Sequence, residues 1–563
     1  MPDPCCPART FFRLGLFVAC SAAAALGAQK QSPAPKPERV GGGLVIAMPS
    51  GPDGFLYPVS GTATGSTLSA LVAPALIDSE FKNGRIVYRP ALATRWQFSK
   101  DKTQITFFLK KGVKWPDGEE INAHDVAFTT ELVADPKVAS PRRNSVEHMD
   151  PKEPVTVIDD YTVRFNFTHA YNQGTMMSHA APGTIVPEHL LGKADRTGLR
   201  KHPLHKQRVF GHGFFDLIKW VPKQYLVFKR NPNYALGNQS GLLAHLDRIL
   251  VRIVPQYQTQ LQALKSQQVD LIETVQEKDL LEVKSWPHVK VYRKGLRAMD
   301  YICYNLNDPL FQDVRVRRAL TMSINIQRIM KTLLTVGGEV VGVQAFSTIS
   351  PELTDYKAKG IKLLPYDPKR AKELFAEAGL RDSDGDGMLD RDGKPFRFTL
   401  STNTGNPRRA DAVVLVQDDL KRVGIEVTIE RIEPNTFFDN LRHRKYQAAL
   451  AGWSAGLFVD PSPIWGSPSK DDKKPFNHCD YSNARVDALI TKGLNTADFD
   501  EEKRCWEEMQ QIIYDEQPYT FLFWRPQFFA VNSRVRGVKP SILSTLFEIQ
   551  NWWVPKGERA YDL

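Results

Sequence analysis

The sharpest chemistry-bearing pattern in the sequence is Asp382-Ser-Asp-Gly-Asp-Gly-Met-Leu-Asp390, with acids at loop positions 1, 3, 5 and 9 and glycine at 6. Oxygen ligands at that spacing suit Ca²⁺. Position 12 is Gly393 instead of a bidentate glutamate. A plain turn is therefore the expected reading, and a structural Ca²⁺ on Asp382, Asp384, Asp386 and Asp390 the alternative. No other cofactor is expected. Arg442, His443 and Arg444 form a cationic cluster that could receive a carboxylate, against the plainer reading of a solvated helix end. Nothing catalytic assembles: there is no G-x-S-x-G, no Walker A loop and no H-E-x-x-H. Three of the six cysteines, Cys303, Cys479 and Cys505, lie beyond the first 30 residues. They allow one disulfide at most, match no zinc spacing, and read as structural thiols.

These residues sit among alternating helix and strand signals. Leu44–Met48 reads as a buried strand, and so do the runs from Ile105, Tyr225–Phe228, Leu250–Val254 and Tyr519–Trp524. Helices are expected from Asn122 to Val133, over 258–266, as one long element over 314–334, over 368–378 with Gly379 as cap, over 408–423 and over 501–516. The helix at 408–423 runs directly into a strand at 425–430, which argues for an α/β lobe. At 563 residues the chain exceeds a single core, so two or three domains are expected.

Arg9 and Arg13 precede the apolar stretch Leu14–Ala28, the layout of a signal peptide and too short to span a bilayer comfortably. Residues 1–28 are read as that signal, with 29–42 a flexible Pro-, Lys- and Gly-rich leader. Phe17-Val-Ala-Cys20 offers the alternative of a lipoprotein anchored through Cys20. The net charge of +11 comes from 74 basic and 63 acidic residues spread without long runs, so no nucleic-acid partner is expected.

Read in order, several stretches resemble the extracellular solute-binding protein family 5, the oligopeptide, dipeptide and nickel binders of ABC importers. They are Pro90–Trp96, Thr106–Gly118, Asn122–Phe128, Gly211–Phe215 with Phe228–Tyr234, Tyr304–Leu320 and Tyr366–Gly379. The resemblance spans about 44–555 and implies a bilobed α/β fold of the periplasmic-binding-protein type II, three-domain architecture. Domain I would combine 43–75, 211–300 and 525–563; domain II would be 76–210 and domain III 301–524. It further implies capture of an oligopeptide or peptide-like solute in an interlobe cleft, delivery to a membrane permease, and an exported, periplasmic or extracytoplasmic protein. A monomer is expected. A nickel chelate, sugar or other solute is the alternative ligand, and a secreted hydrolase the remote one.

The segment Ala451–Trp465 resembles the family's ligand loop, in which an aspartate three residues after the tryptophan holds a peptide's α-ammonium. That position is Gly456 here, and the nearest acid is Asp460. The resemblance points to Trp453, Asp460, Tyr304, Asn305 and Trp465 as ligand-site residues, with Asp460 either replacing the missing acid or forming a turn.

Overall fold

A computed structural model describes residues 37–561 except 74, 181–182, 207–212, 235, 237–242 and 470–472. The signal peptide, Cys20, most of the leader and the start of the 211–215 motif therefore lie outside the described residues. Among those described, no helix is long and apolar enough to cross a membrane.

Two long strands organise the molecule: Val289–Tyr304 and Tyr519–Asn532, paired antiparallel along their length. At one end they continue through strand Leu271–Ile272 to strands Gly43–Met48, Arg248–Ile253, Tyr225–Arg230 and Phe215–Val221. At the other end Val289–Tyr304 pairs with Ala448–Ser454, followed by Arg397–Asn403 and Glu426–Ile432. One 11-stranded sheet thus serves two lobes. The pairing is broken by register shifts between Arg293 and Ala298, where Gly295 takes φ of 102°. Such a bulge bends the strand and suits glycine. The passage between lobes falls there, a few residues before the expected boundary at 300.

Each lobe has its own core. Leu44, Ile46, Phe228, Val251 and Trp552 fill the first lobe, while Tyr301, Trp465, Trp506 and Phe521 lie in the third. The second lobe is a four-stranded antiparallel sheet, 93–98, 104–109, 162–166 and 155–159, packed on helix Ala123–Ala134. Asn122 caps that helix and Asp125 closes a capping box while accepting the indole N–H of Trp115 at 3.1 Å. Leu56 and Val59, expected in domain I, pack instead with Phe128 and Leu132 of the second lobe.

The long helix expected over 314–334 is two, Val314–Ser323 and Ile326–Leu333. Asn325 breaks it: its side chain accepts the Arg328 N–H at 2.8 Å, and its own N–H goes to Asp419. An N-cap interaction outweighs continuous periodicity here. Gly379 ends helix Pro368–Glu377 in the left-handed region, as expected.

In the first lobe Asp270 is fully buried, accepting two N–H groups of Arg534 at 2.7 and 2.8 Å and the Val45 N–H at 2.9 Å. Removing one partner of such a pair strands the other charge. Asp270→Ala should destabilise the fold by about 3–5 kcal/mol, read as a lower denaturation midpoint in urea.

Candidate functional site

In both outer lobes parallel strands end toward the junction. Gly43–Met48 runs parallel to Arg248–Ile253, and Arg397–Asn403 runs parallel to Glu426–Ile432 and Ala448–Ser454. Crevices beyond the carboxyl ends of such strands are where open α/β sheets bind ligands.

Three arginines converge at this junction. Arg408 and Arg409 open helix Pro407–Lys421, and Arg525 lies on the second long strand. Asp300, on the first long strand, is almost fully buried and takes Arg408 Nε at 2.9 Å and Arg409 Nε at 3.1 Å. Glu277, from the first lobe, accepts Arg525 Nη1 at 3.2 Å and lies 4.0 Å from Arg408. Burial alone would raise the Asp300 carboxyl, but the three guanidiniums hold it below the usual carboxylate value. Arg525 is pushed down by burial and by repulsion from Arg408. Two donors in the group, Arg408 Nη2 and Arg525 Nε, are buried without a hydrogen-bond partner among the described residues. Among the described residues, three cations thus share two carboxylates, leaving one positive charge and two N–H groups uncompensated.

None of these five residues was anticipated from the sequence. The available signal was Arg408 and Arg409 in the first turn of a helix, where the dipole disfavours cations. Such a violation of local preference often marks a site.

Trp453 ends strand Ala448–Ser454 half-buried, stacked on His478 at 4.7 Å and on Tyr301 at 5.9 Å, with the exposed Phe476 at its edge. Its indole N–H is buried without a partner among the described residues. Gly456 is exposed nearby, and a Cβ there would meet only the Phe458 main chain, at 3.3 Å.

Three expected site residues belong elsewhere. Tyr304 is 1% exposed, stacks near Phe311 and bonds Thr520 through its hydroxyl at 2.8 Å, so it is a core residue. Asn305 turns inward, its amide donating to the carbonyls of Arg444 and Tyr446. Trp465 is 1% exposed and donates to Thr348 in the third-lobe core. Strand ends and apolar loops fill cores as readily as clefts, and here packing claimed all three.

Asp460 forms a turn, accepting the Ser462 N–H and hydroxyl at 2.9 and 2.7 Å. It also faces His148 and His179 of the second lobe. There the His148 ring lies 4.7 Å from His179 and 4.8 Å from Tyr171, and Phe458 packs edge-on against His179. His169 meets Asn495 at 3.0 Å, and Asn172 donates to the Gly493 carbonyl. This is the seam between the second and third lobes.

His443 and Arg442 are exposed at a helix end, whereas Arg444 anchors the carbonyls of Lys473, Lys474 and Asn477. Asp382, Asp384 and Asp390 bring carboxylate oxygens within 4.8 Å of one another. Asp382 accepts the Gly385 and Gly387 N–H groups, and Asp386 instead accepts Met388 N–H. Cys303, Cys479 and Cys505 are buried free thiols; burial pushes Cys303 up to about 12, which leaves it no thiolate for chemistry at neutral pH.

Residues 87–475 match the model of the bacterial extracellular solute-binding proteins, family 5 Middle. The oligopeptide-binding protein AppA of Bacillus subtilis is 30% identical over 452 residues, covering 80% of each chain. The chain belongs to family 5 of the bacterial extracellular solute-binding proteins. Its fold matches the solved AppA, in complex with a nonapeptide, at a TM-score of 0.73 and 28% identity, over 92% of this chain and 100% of that one. The heme-binding protein A of Haemophilus influenzae is 25% identical over 81% of this chain and 83% of its own. The type II binding-protein fold expected from the sequence is therefore the fold of this family 5 chain, and its role is that of an importer's substrate-binding component.

Two outcomes test the site. Trp453→Ala should weaken ligand binding by roughly tenfold or more, the order of losing a well-packed aromatic contact, with an unchanged thermal midpoint; unchanged affinity by calorimetry removes Trp453 from the site. The second concerns pH. Burial, with repulsion from His169 at His148 and from His148 at His179, depresses both histidines below the ordinary value of 6.5, against the opposing pull of Asp460 on both and of Glu147 on His179. The closed seam therefore binds fewer protons than the open one. Its contribution is full above pH 6.5 and is lost as pH falls below that value. Ligand affinity should fall from pH 8 toward 5.5, and the fall should flatten in the double variant His148→Gln/His179→Gln.

Proposed function

We propose that this protein captures a peptide or peptide-like solute between its first and third lobes and hands it, without turnover, to the permease of an ABC importer. The observation that carries the reading is the uncompensated cationic cluster of Arg408, Arg409 and Arg525 over Asp300 and Glu277, at the carboxyl ends of the strands. Buried guanidinium N–H groups without acceptors suit an anionic ligand group, such as a peptide's terminal carboxylate. Trp453, on the other face of the strand pair from Asp300, offers a separate apolar wall with an unused indole donor. Gly456 removes the acid that would hold an α-ammonium in related peptide binders, so the carboxylate end of the ligand is the better anchored one. Export by the signal-like segment 1–28, leaving the protein free or anchored through Cys20, belongs to the same proposal.

Native mass spectrometry of the purified protein should find peptides carried in the cleft. Free-acid peptides should then bind more tightly than their amides, and Arg408→Gln should erase that preference at a cost of roughly tenfold or more, the scale of a charge-assisted hydrogen bond. A metal chelate or heme as the co-purified species would replace the peptide reading, and turnover of the bound molecule would overturn the binding role.

A further inference from the structure

The outer edge of the first-lobe sheet consists of strands Phe215–Val221, Tyr225–Arg230 and Arg248–Ile253. Phe215, Leu226, Phe228, Ile249 and Val251 face the core. On the other face Tyr225, Val227 and Leu250 are only half-buried and floor a groove of about 650 Å³. Its rim carries Lys219, Lys223, Arg248 and Arg252, and no aspartate or glutamate lines it. Arg230 nearby is neutralised by Asp247 at 2.6 Å. The four rim cations have no carboxylate partner among the described residues; the Lys219 ammonium lies only over the Tyr225 ring, at 5.3 Å. Beside it the bulge between Leu217 and Lys219 pushes Ile218 out to 50% exposure.

Four like charges around an apolar floor repel one another in the free protein, and an anionic partner relieves that repulsion. The composition of the patch selects the partner. Cations at a rim, a tyrosine whose ring is half-buried and a projecting isoleucine are the side chains that settle together where headgroups meet acyl chains. The N-terminal segment also enters the lobe here: Gly41 N–H bonds the His245 carbonyl at 2.8 Å, and Gly43 is in register with Arg248. A leader running to a membrane would bring this face to it.

We propose that this face of the first lobe rests on the membrane surface and takes anionic phospholipid headgroups at Lys219, Lys223, Arg248 and Arg252. Contact of this kind holds the binder beside its transporter without engaging the cleft, so it stands or falls separately from the ligand assigned above. The excess charge of +11 on the whole chain acts in the same direction over longer range.

The test is co-sedimentation of the full chain with vesicles of phosphatidylcholine, with and without phosphatidylglycerol. The protein should bind the anionic vesicles, and binding should weaken as salt is raised. Each neutralised cation should cost roughly fivefold in partitioning, so Lys219→Gln/Lys223→Gln/Arg252→Gln should lose about a hundredfold while keeping its thermal midpoint and cleft affinity. Equal binding to neutral vesicles, or undiminished binding by the triple variant, overturns the proposal. So does capture by polyglutamate beads with no vesicle binding, which would identify the face as a site for an acidic protein segment.

Discussion

Everything in this molecule hangs on the pairing of two strands, Val289–Tyr304 and Tyr519–Asn532, that belong to both outer lobes at once. Their first-lobe halves are clamped by apolar neighbours such as Val289, Phe529 and Val531, and their third-lobe halves by Tyr301, Ile302, Phe521 and Leu522. Between the clamped halves the ladder is irregular and one residue is a glycine at positive φ. A sheet that is firm on either side of a bulge bends at the bulge, because few hydrogen bonds and little packing must be given up there. The bulge at Gly295 is thus where the two lobes' shared sheet has its weakest pairing.

Charge has been placed near that bulge. Asp300 and Arg525 lie on the two long strands, Arg408 and Arg409 on a third-lobe helix, and Glu277 in the first lobe. The cluster therefore ties together residues from both sides of the bulge. Buried ion pairs contribute little net stability once desolvation is counted, so a cluster with more cations than anions is poorly explained as scaffolding. It is better explained as a site whose balance is completed by something negative. The seam between the second and third lobes is built differently, from stacked rings and from two histidines that burial holds below their ordinary pKa. The two contacts between lobes therefore differ in kind, one built on ion pairs near the strands and one on stacked rings and histidines.

Much of the architecture was legible in the sequence, because capping boxes, turn glycines and strand alternation are local. Asn122 with Asp125 and Gly379 all act as their positions suggest. The failures have physical causes as well. Asn325 split a continuous apolar period, since a cap needs one side chain while a period needs only the absence of breakers. Leu56 and Val59 crossed into the second lobe because a loop can bury its apolar residues against either neighbour. For the site, position along the chain pointed to Trp453, which is half-buried with an unused indole donor, and to Tyr304, Asn305 and Trp465, which are buried among core partners. Whether an aromatic residue faces a cleft or a core depends on partners such as Thr520 and Thr348, which lie 216 and 117 residues away. The cationic cluster was invisible for the same reason: its members come from four distant segments.

Closure of the lobes on a solute, about the bulged strands, can be observed in solution. Small-angle X-ray scattering, recorded on ligand-free protein and again after adding back the ligand identified by mass spectrometry, tests it directly. The radius of gyration should fall on ligand addition and recover when the ligand is removed. An unchanged radius with the cleft demonstrably occupied would rule out closure about the bulged strands.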